Sequence, residues 1–318
     1  MYRLMAIDLD GTLLNSYGEV SPETRDALNR VKDSGVEVVL ASGRPISSTE
    51  SLAVELGVDN YLISGNGAAV FDIKNQEIIY DRFLNKDQVL KIAKLCEDNS
   101  FFYNIYTEDE VIANSLNYNV LFYHKENLKK VEEKRTHINV VENIMEYIEQ
   151  SGKEKFLKIT VCDESQFIFN SIMRRLKEID GIDVLETAYM SRKKIKQGTD
   201  DVDINYFYTE ITNKNVNKWS AIEFLINKLG IQREEVIAIG DNLNDKEMIQ
   251  NAGLGVVMGN SNPMMKEIGD EIVSDNNSEG VLEAINKFVL KWFLQINYKR
   301  NKFILQVFTT IDFEYYMI

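Results

Sequence analysis

The chain has 318 residues, a length that suggests about two domains, and its 44% apolar content is enough for a well-buried core. The balance of 36 basic against 50 acidic side chains leaves a formal charge of −14. That charge argues against general affinity for nucleic acid or anionic membrane surfaces, and an anionic substrate must find a local positive charge. Cys96 and Cys162 stand in unrelated contexts without C-x-x-C spacing and read as reduced, partly buried thiols. His124 and His137 are the only histidines, too few for multi-histidine metal sites. The apolar stretch at the N-terminus is too short for a signal segment, and no run of about 18 apolar residues predicts a membrane span. A cytoplasmic protein is expected.

Over the first 80 residues strand and helix signals alternate. Leu4 to Leu9 is a short apolar run interrupted by an acid. Ser21-Pro22-Glu23-Thr24 opens a helix, with Ser21 as N-cap and Pro22 at the first helical position, and Gly35 ends it. Val36 to Ala41 is a second buried strand. Ser42-Gly43-Arg44-Pro45 leads into a helix that Gly57 closes, and Tyr61 to Ser64 is a third strand. This rhythm predicts an α/β fold, a doubly wound parallel sheet covered by helices on both faces.

From about Phe83 the texture changes. Helical patterns (Lys86 to Asp98, Glu164 to Ile179) alternate with strands predicted at Phe101 to Tyr106, Val120 to His124 and Phe156 to Cys162. This block reads as a separate α+β unit. After Ile211 the first texture returns: Lys218 to Leu229 as a helix closed by Gly230, Val236 to Ile239 as a strand ending at Gly240-Asp241, and Gly255 to Met258 as another. A short helix capped at Asn262-Pro263 and an amphipathic helix from Glu279 to Leu290 follow. One domain (1–82 and 212–290) is therefore expected to be interrupted by another (83–211). The aromatic stretch 291–318 fits neither texture. It reads equally as a packed extension or a poorly ordered tail, an aggregation hazard if exposed.

Three predicted parallel strands end in polar residues: Ile7 to Asp8, Ala41 to Ser42, and Gly240 to Asp241. Strand C-termini line the ligand crevice of open α/β sheets, so Asp8, Asp10, Ser42 and Asp241 should converge. Asp8 and Asp10 share a face where the chain is extended. Gly11 allows a sharp turn, and Thr12 can bond back to steady it. Close carboxylates repel and raise one another's pKa unless a cation intervenes, and Asp241 and Asp245 add to the repulsion. An oxygen-only site with few protein ligands suits Mg2+, which would let an aspartate attack an anionic phosphate. Ser42-Gly43 ahead of a helix start could hold the phosphate, and Lys218 could neutralise it.

Taken together these motifs resemble the haloacid dehalogenase-superfamily phosphatases, specifically the Cof-type group. Asp8-Leu9-Asp10-Gly11-Thr12 matches the family's first motif, DxDGT. Ala41-Ser42-Gly43-Arg44 resembles the second, Lys218 takes the third-motif lysine position, and Gly240-Asp241-Asn242-Leu243-Asn244-Asp245 matches the fourth, GDxxND. Ser64-Gly65-Asn66-Gly67-Ala68 and Met258-Gly259-Asn260 also resemble Cof-type segments, so the match spans about residues 1–290.

The resemblance implies a Rossmann-like core with an inserted α+β cap that closes over the cleft and selects the leaving group. It implies Asp8 as nucleophile and Asp10 as general acid, then base. Asp8, the Asp10 backbone carbonyl and Asp241 would hold Mg2+, with Asp245 supporting them. Leu9, Ser42, Gly43 and Lys218 would bind phosphate, and Asn244 would sit close to the substrate. The expected partner is a small phosphorylated metabolite, with sugar phosphates the family default and flavin or pyridoxal phosphates as alternatives. The protein is expected to be a monomer or weak homo-oligomer.

Trp219 after Lys218 departs from the small residue commoner there and predicts a narrower phosphate pocket. The long polar segment Arg192 to Asn217 leaves the return to the core open. Asp201-Val202-Asp203 repeats D-x-D without Gly-Thr and reads as a solvated loop. Asp241 to Glu247 fails as a calcium loop, because Leu243 takes the third ligand position and no glycine follows at the sixth. Gly65-Asn66-Gly67 is too short for a dinucleotide fingerprint and reads as a turn, with Asn66 facing the cleft. Two further readings stay open: a phosphomutase or phosphotransferase using Asp8 identically, and a slow phosphate-sensing module, for which the acid/base group Asp10 would be superfluous.

Overall fold

The computed structural model describes residues 1–291 except 129, 133, 134, 187, 198 and 199, and gives the backbone alone for 188–197 and 200–204. The aromatic stretch from 292 onward lies outside the described residues.

The first passage of chain builds β1 (Leu4–Ile7), α1 (Pro22–Asp33), β2 (Glu37–Ala41), α2 (Ile46–Glu55) and β3 (Tyr61–Ser64). The Ser21 hydroxyl accepts from the Thr24 amide at the start of α1, the expected N-cap. β3 then turns back through β4 (Ala69–Asp72) and β5 (Glu77–Asp81), which pair antiparallel at one edge of the sheet. The sequence reading missed this hairpin.

The inserted unit contains β6 (Leu84–Asn85), α3 (Lys86–Glu97), β7 (Phe102–Tyr106), β8 (Glu110–Ala113), α4 (Tyr118–Asn127), β9 (His137–Val140) and α5 (Ile144–Gln150). It continues with β10 (Lys155–Phe156), β11 (Lys158–Asp163), α6 (Gln166–Leu176), β12 (Ile182–Val184), β13 (Ala188–Gln197) and β14 (Asp200–Asn213). Its main sheet runs β12-β14-β11-β7-β8-β9, with β13 also paired to β14. Asp201-Val202-Asp203 therefore lies in a strand rather than a loop. The long polar segment that left the return to the core open belongs to an antiparallel ribbon that leads back to it.

Val120 to His124 is helical, not a strand. Its β-branched and aromatic side chains favour a strand on propensity, but propensity yields here to packing: Val120 is fully buried, and Asn119 and Tyr123 both reach Tyr106 of the sheet. Contacts at positions 119, 120 and 123 follow helical spacing.

The chain returns through α7 (Lys218–Leu229), β15 (Val236–Gly240), α8 (Lys246–Asn251), β16 (Leu254–Val257), α9 (Pro263–Ile268), β17 (Glu271–Ile272) and α10 (Gly280–Ala284). The core sheet is ordered β17-β16-β15-β1-β2-β3-β4-β5. It is parallel from β17 to β3.

Burial on both faces explains why these strands read as continuous apolar runs. On β1, Met5 and Ile7 pack with Ala27, Leu28 and Val31 of α1 and with Val281 and Ala284 of α10. Leu4 and Ala6 pack oppositely, with Ile222 and Leu225 of α7 and Met248 and Ile249 of α8. Each fully buried Leu or Ile contributes about 1.5–3 kcal/mol, which anchors β1 at the centre of the sheet. Cys96 and Cys162 are both free and fully buried.

The turn Gly65-Asn66-Gly67 is locked against the start of α7. Gly67 has φ +99, and a Cβ there would lie 2.0 Å from the Asn217 carbonyl oxygen. Both the dihedral and the close approach demand glycine. Gly67→Ala should therefore destabilise the protein by roughly 2 kcal/mol or more, measured by denaturant unfolding. An unchanged midpoint would contradict the packing of this turn on α7.

Candidate active site

β15, β1 and β2 are neighbours, and Ile7 is paired with Ile239 on one side and Leu40 on the other. Their C-terminal ends therefore deliver Asp241, Asp8 and Ser42 to one rim. Past β1 the backbone turns sharply: Gly11 takes φ +90, and a Cβ on it would lie 2.5 Å from an Asp241 carboxylate oxygen. Asn260 fixes this turn by donating to the Gly11 carbonyl (2.9 Å) and to Asp241 Oδ2 (3.3 Å). The Thr12 hydroxyl donates across to Asp241 Oδ1 at 3.0 Å, where the sequence suggested a bond back within its own turn.

The Lys218 ammonium is at the centre. It occupies the first position of α7, capped by Asn217, and is completely buried. Its Nζ donates to Asp8 Oδ1 at 2.5 Å and to Asp245 Oδ1 at 2.6 Å. The other Asp245 oxygen accepts from the amides of Asp241 (2.9 Å) and Asn242 (3.0 Å). Asp245 thus ties the β15 loop to the lysine. Trp219 packs in the core cluster with Leu225 and Val236.

Asp8, Asp241 and Asp245 offer carboxylate oxygens that all lie within 4.8 Å of one another. Burial, then the charge of Asp245, push the Asp8 pKa up to about 7 despite the opposing pull of Lys218. Burial and the same neighbouring acids hold Asp241 well above the ordinary carboxylate range. Lys218 is shifted up by its two carboxylates against the cost of burial. Three acids against one ammonium leave an excess of negative charge in a low-dielectric place. An all-oxygen donor set with that imbalance fits a hard divalent cation such as Mg2+.

Asp10 is turned away from this cluster. Its carboxylate accepts both Nε and Nη2 of Arg44 at 2.7 Å each. Arg44 is itself buried and donates at 3.1 and 2.9 Å to Glu126 of α4. Sequence reasoning quoted Arg44 within a motif without giving it a role, and Glu126 carried no signal at all. The Ser42 hydroxyl accepts from the Arg44 amide at 3.1 Å. The Leu9 side chain is buried in the core cluster, which leaves only its backbone for a phosphate.

Asn66 faces the cleft in a left-handed conformation (φ 60). Its amide donates to Glu210 of β14 at 2.6 Å, and its oxygen accepts from Asn244 at 3.1 Å. Glu210 also pairs with Lys158 of β11. The inserted unit therefore reaches the rim through Glu126, through the Lys158–Glu210 pair and through the Tyr208 hydroxyl, which accepts from Asn242 at 3.3 Å. A cavity of about 280 Å³ opens beside Glu210, lined by Asn66, Glu210, Asn217, Leu243 and Asn244 among others.

A family model for haloacid dehalogenase-like hydrolases matches residues 5–285. The phosphatase YwpJ of Bacillus subtilis is 28% identical over 294 residues, covering 88% of this chain and 97% of that protein. The 5-amino-6-(5-phospho-D-ribitylamino)uracil phosphatase YcsE of Bacillus subtilis is 28% identical over 288 residues, covering 91% and 96%. A haloacid dehalogenase-like hydrolase of Bacteroides thetaiotaomicron has a crystal structure that superposes with a TM-score of 0.70 at 27% identity, covering 90% of this chain and 99% of that one. The chain belongs to the haloacid dehalogenase-like hydrolases and is a phosphatase of the Cof type.

Protons and a divalent cation compete for the same carboxylates. An Asp8 pKa raised from 3.8 to about 7 contributes stability that is present below pH 4 and lost as pH rises towards 7. In chelator, the melting temperature should therefore fall between pH 5 and 7.5, and the increment from added Mg2+ should grow over the same interval. Equal Mg2+ increments at both pH values would contradict this account of the site.

Proposed function

We propose that the protein hydrolyses small phosphomonoesters, sugar phosphates foremost, with Mg2+ and through a phosphorylated Asp8. The cluster of Asp8, Asp241 and Asp245 beside the buried Lys218 carries this reading, because it leaves one strand-end carboxylate next to an ammonium in a pocket whose excess negative charge a divalent cation would offset. Bound among Asp8, Asp241 and Asp245, Mg2+ would neutralise charge between the carboxylates and the phosphoryl oxygens. The Asp10 backbone carbonyl is the further ligand that the family resemblance implies.

In the first step an Asp8 oxygen attacks phosphorus and the bond to the leaving oxygen breaks. Asp10 gives its proton to the departing alkoxide. In the second step water attacks the phosphorus of the acyl phosphate, and Asp10 takes the proton as Asp8 leaves as a carboxylate. Dividing one displacement into two lowers each barrier. Lys218 fixes the Asp8 orientation and balances charge, while Ser42 and the Gly43 amide receive the phosphate oxygens.

The clamp on Asp10 adds a condition to this scheme. Arg44 holds both Asp10 oxygens at 2.7 Å, whereas the first step needs Asp10 at the leaving oxygen. Substrate entry must therefore loosen the Asp10–Arg44 pair, and Glu126 of α4 is placed to retain the guanidinium when it does. The inserted unit then acts as the cap, coupling closure to the release of Asp10 from Arg44.

Asp8→Asn should lower turnover of an aryl phosphate by at least about 10^3-fold while circular dichroism and melting temperature show a folded protein. Retained activity in that variant sinks the mechanism. EDTA should silence the parent enzyme, and Mg2+ should restore it; activity indifferent to chelation would remove the metal from the scheme.

A further inference from the structure

One face of the inserted sheet is apolar and packs under α3, α5 and α6, taking Tyr103 and Ile105 of β7 and Ile159 and Val161 of β11. The alternating residues must face the opposite way, towards α4 and the rim of the core. The register aligns Asn104 with Thr160, and Thr160 with Glu210. These three side chains form one row across β7, β11 and β14. Neighbouring strands lie about 4.8 Å apart, so the row leads from Glu210 at the rim to Asn104 deep under α4.

Asn119 of α4 spans this row. It donates to the Tyr106 hydroxyl at 2.6 Å on one flank and receives the Cys162 thiol at 3.7 Å on the other. Beneath it, both amide atoms of Asn104 and the Thr160 hydroxyl are buried without a hydrogen-bond partner in the protein. Asn104 is fully buried and Thr160 is 2% exposed. Leaving such groups unpaired is costly, and buried polar atoms are overwhelmingly paired in native proteins. Among the described residues, the only other such atom is the Ser261 hydroxyl.

The row joins the rim at Glu210, which pairs with Lys158. From Asp10 the path runs to Arg44, whose guanidinium lies 5.9 Å from the Tyr123 ring. Tyr123 stands edge-on to Tyr106 at 6.1 Å, and the Lys158 ammonium sits 4.8 Å from the Tyr106 ring centre. That ammonium also lies 2.9 Å from where a Cβ on Gly43 would be, so it abuts the phosphate-side loop.

We propose, building on the phosphatase reading, that Asn104 and Thr160 are specificity-determining residues that hydrogen-bond hydroxyl groups of a polyhydroxylated leaving group. Tyr106 and Tyr123 pack its carbon skeleton, and Lys158 stands at the mouth. One donor, one acceptor and one hydroxyl that serves as either match vicinal hydroxyls, and the surrounding rings supply apolar contact. A site built to bond a hydroxyl discriminates strongly against an analogue lacking it.

The test uses the full chain with Mg2+, a panel of sugar, polyol, flavin and pyridoxal phosphates, and acetyl phosphate as a reference with almost no leaving group. The best panel substrate should be polyhydroxylated. Thr160→Val and Asn104→Leu should each lower the ratio of its kcat/KM to that of acetyl phosphate by at least about tenfold. Because the replaced atoms lack partners, the melting temperature of Thr160→Val should hold or rise. An unchanged ratio overturns the proposal, and a lowered melting temperature alongside it marks the hydroxyl as structural. Equal use of all panel members overturns the subsite but leaves the phosphatase reading standing. No turnover of any member, acetyl phosphate included, overturns both.

Discussion

Everything at the site depends on the buried ammonium of Lys218. It bonds Asp8 and Asp245 at once, and so links the end of β1, the loop after β15 and the start of α7. Burying two carboxylates without it would be prohibitive, and leaving it without them would be equally so. Yet it balances only part of the charge. With Asp241 included, the pocket holds more anion than cation, and that deficit is what a divalent metal and a phosphoryl group would use together. A site frustrated without its ligands is a common cost of function.

A second ion-pair chain connects the core to the inserted unit. Arg44 joins Asp10 to Glu126, so the proposed proton carrier is held by a residue that also touches α4. Lys158 and Glu210 make the other bridge, continued through Asn66 to Asn244. Both bridges are polar, which suits an interface that opens and closes better than an apolar seam would. The same sheet face that supplies Lys158 and Glu210 also carries Asn104 and Thr160. Contact with the core and the proposed recognition of the leaving group thus reside on one surface.

The core was legible in the sequence because its strands are buried on both faces and end in chemistry. Asp8, Ser42, Asp241 and Lys218 each sit beside a strand or helix boundary marked by glycine, proline or an N-cap, so local signals and spacing sufficed. The inserted unit was harder. Val120 to His124 carries strand-type side chains on a helix, and around Asp201 the alternation of Val202, Ile204 and Tyr206 with polar residues was a strand signal that the polar reading of the segment passed over. Residues whose roles arise only from tertiary contact left little trace: Arg44 pairs with Glu126 across 82 positions, and Lys158 meets Glu210 across 52. Thr12 was read from its immediate neighbours, and distant packing redirected it to Asp241.

The central claim is that Asp8 becomes covalently phosphorylated. It is tested most directly by quenching the enzyme during turnover, reducing any acyl phosphate with borohydride and mapping the product by peptide mass spectrometry. The account predicts homoserine at position 8, dependent on substrate and absent in Asp8→Asn. Reduction at another carboxylate, or none while substrate is being consumed at full rate, would contradict it.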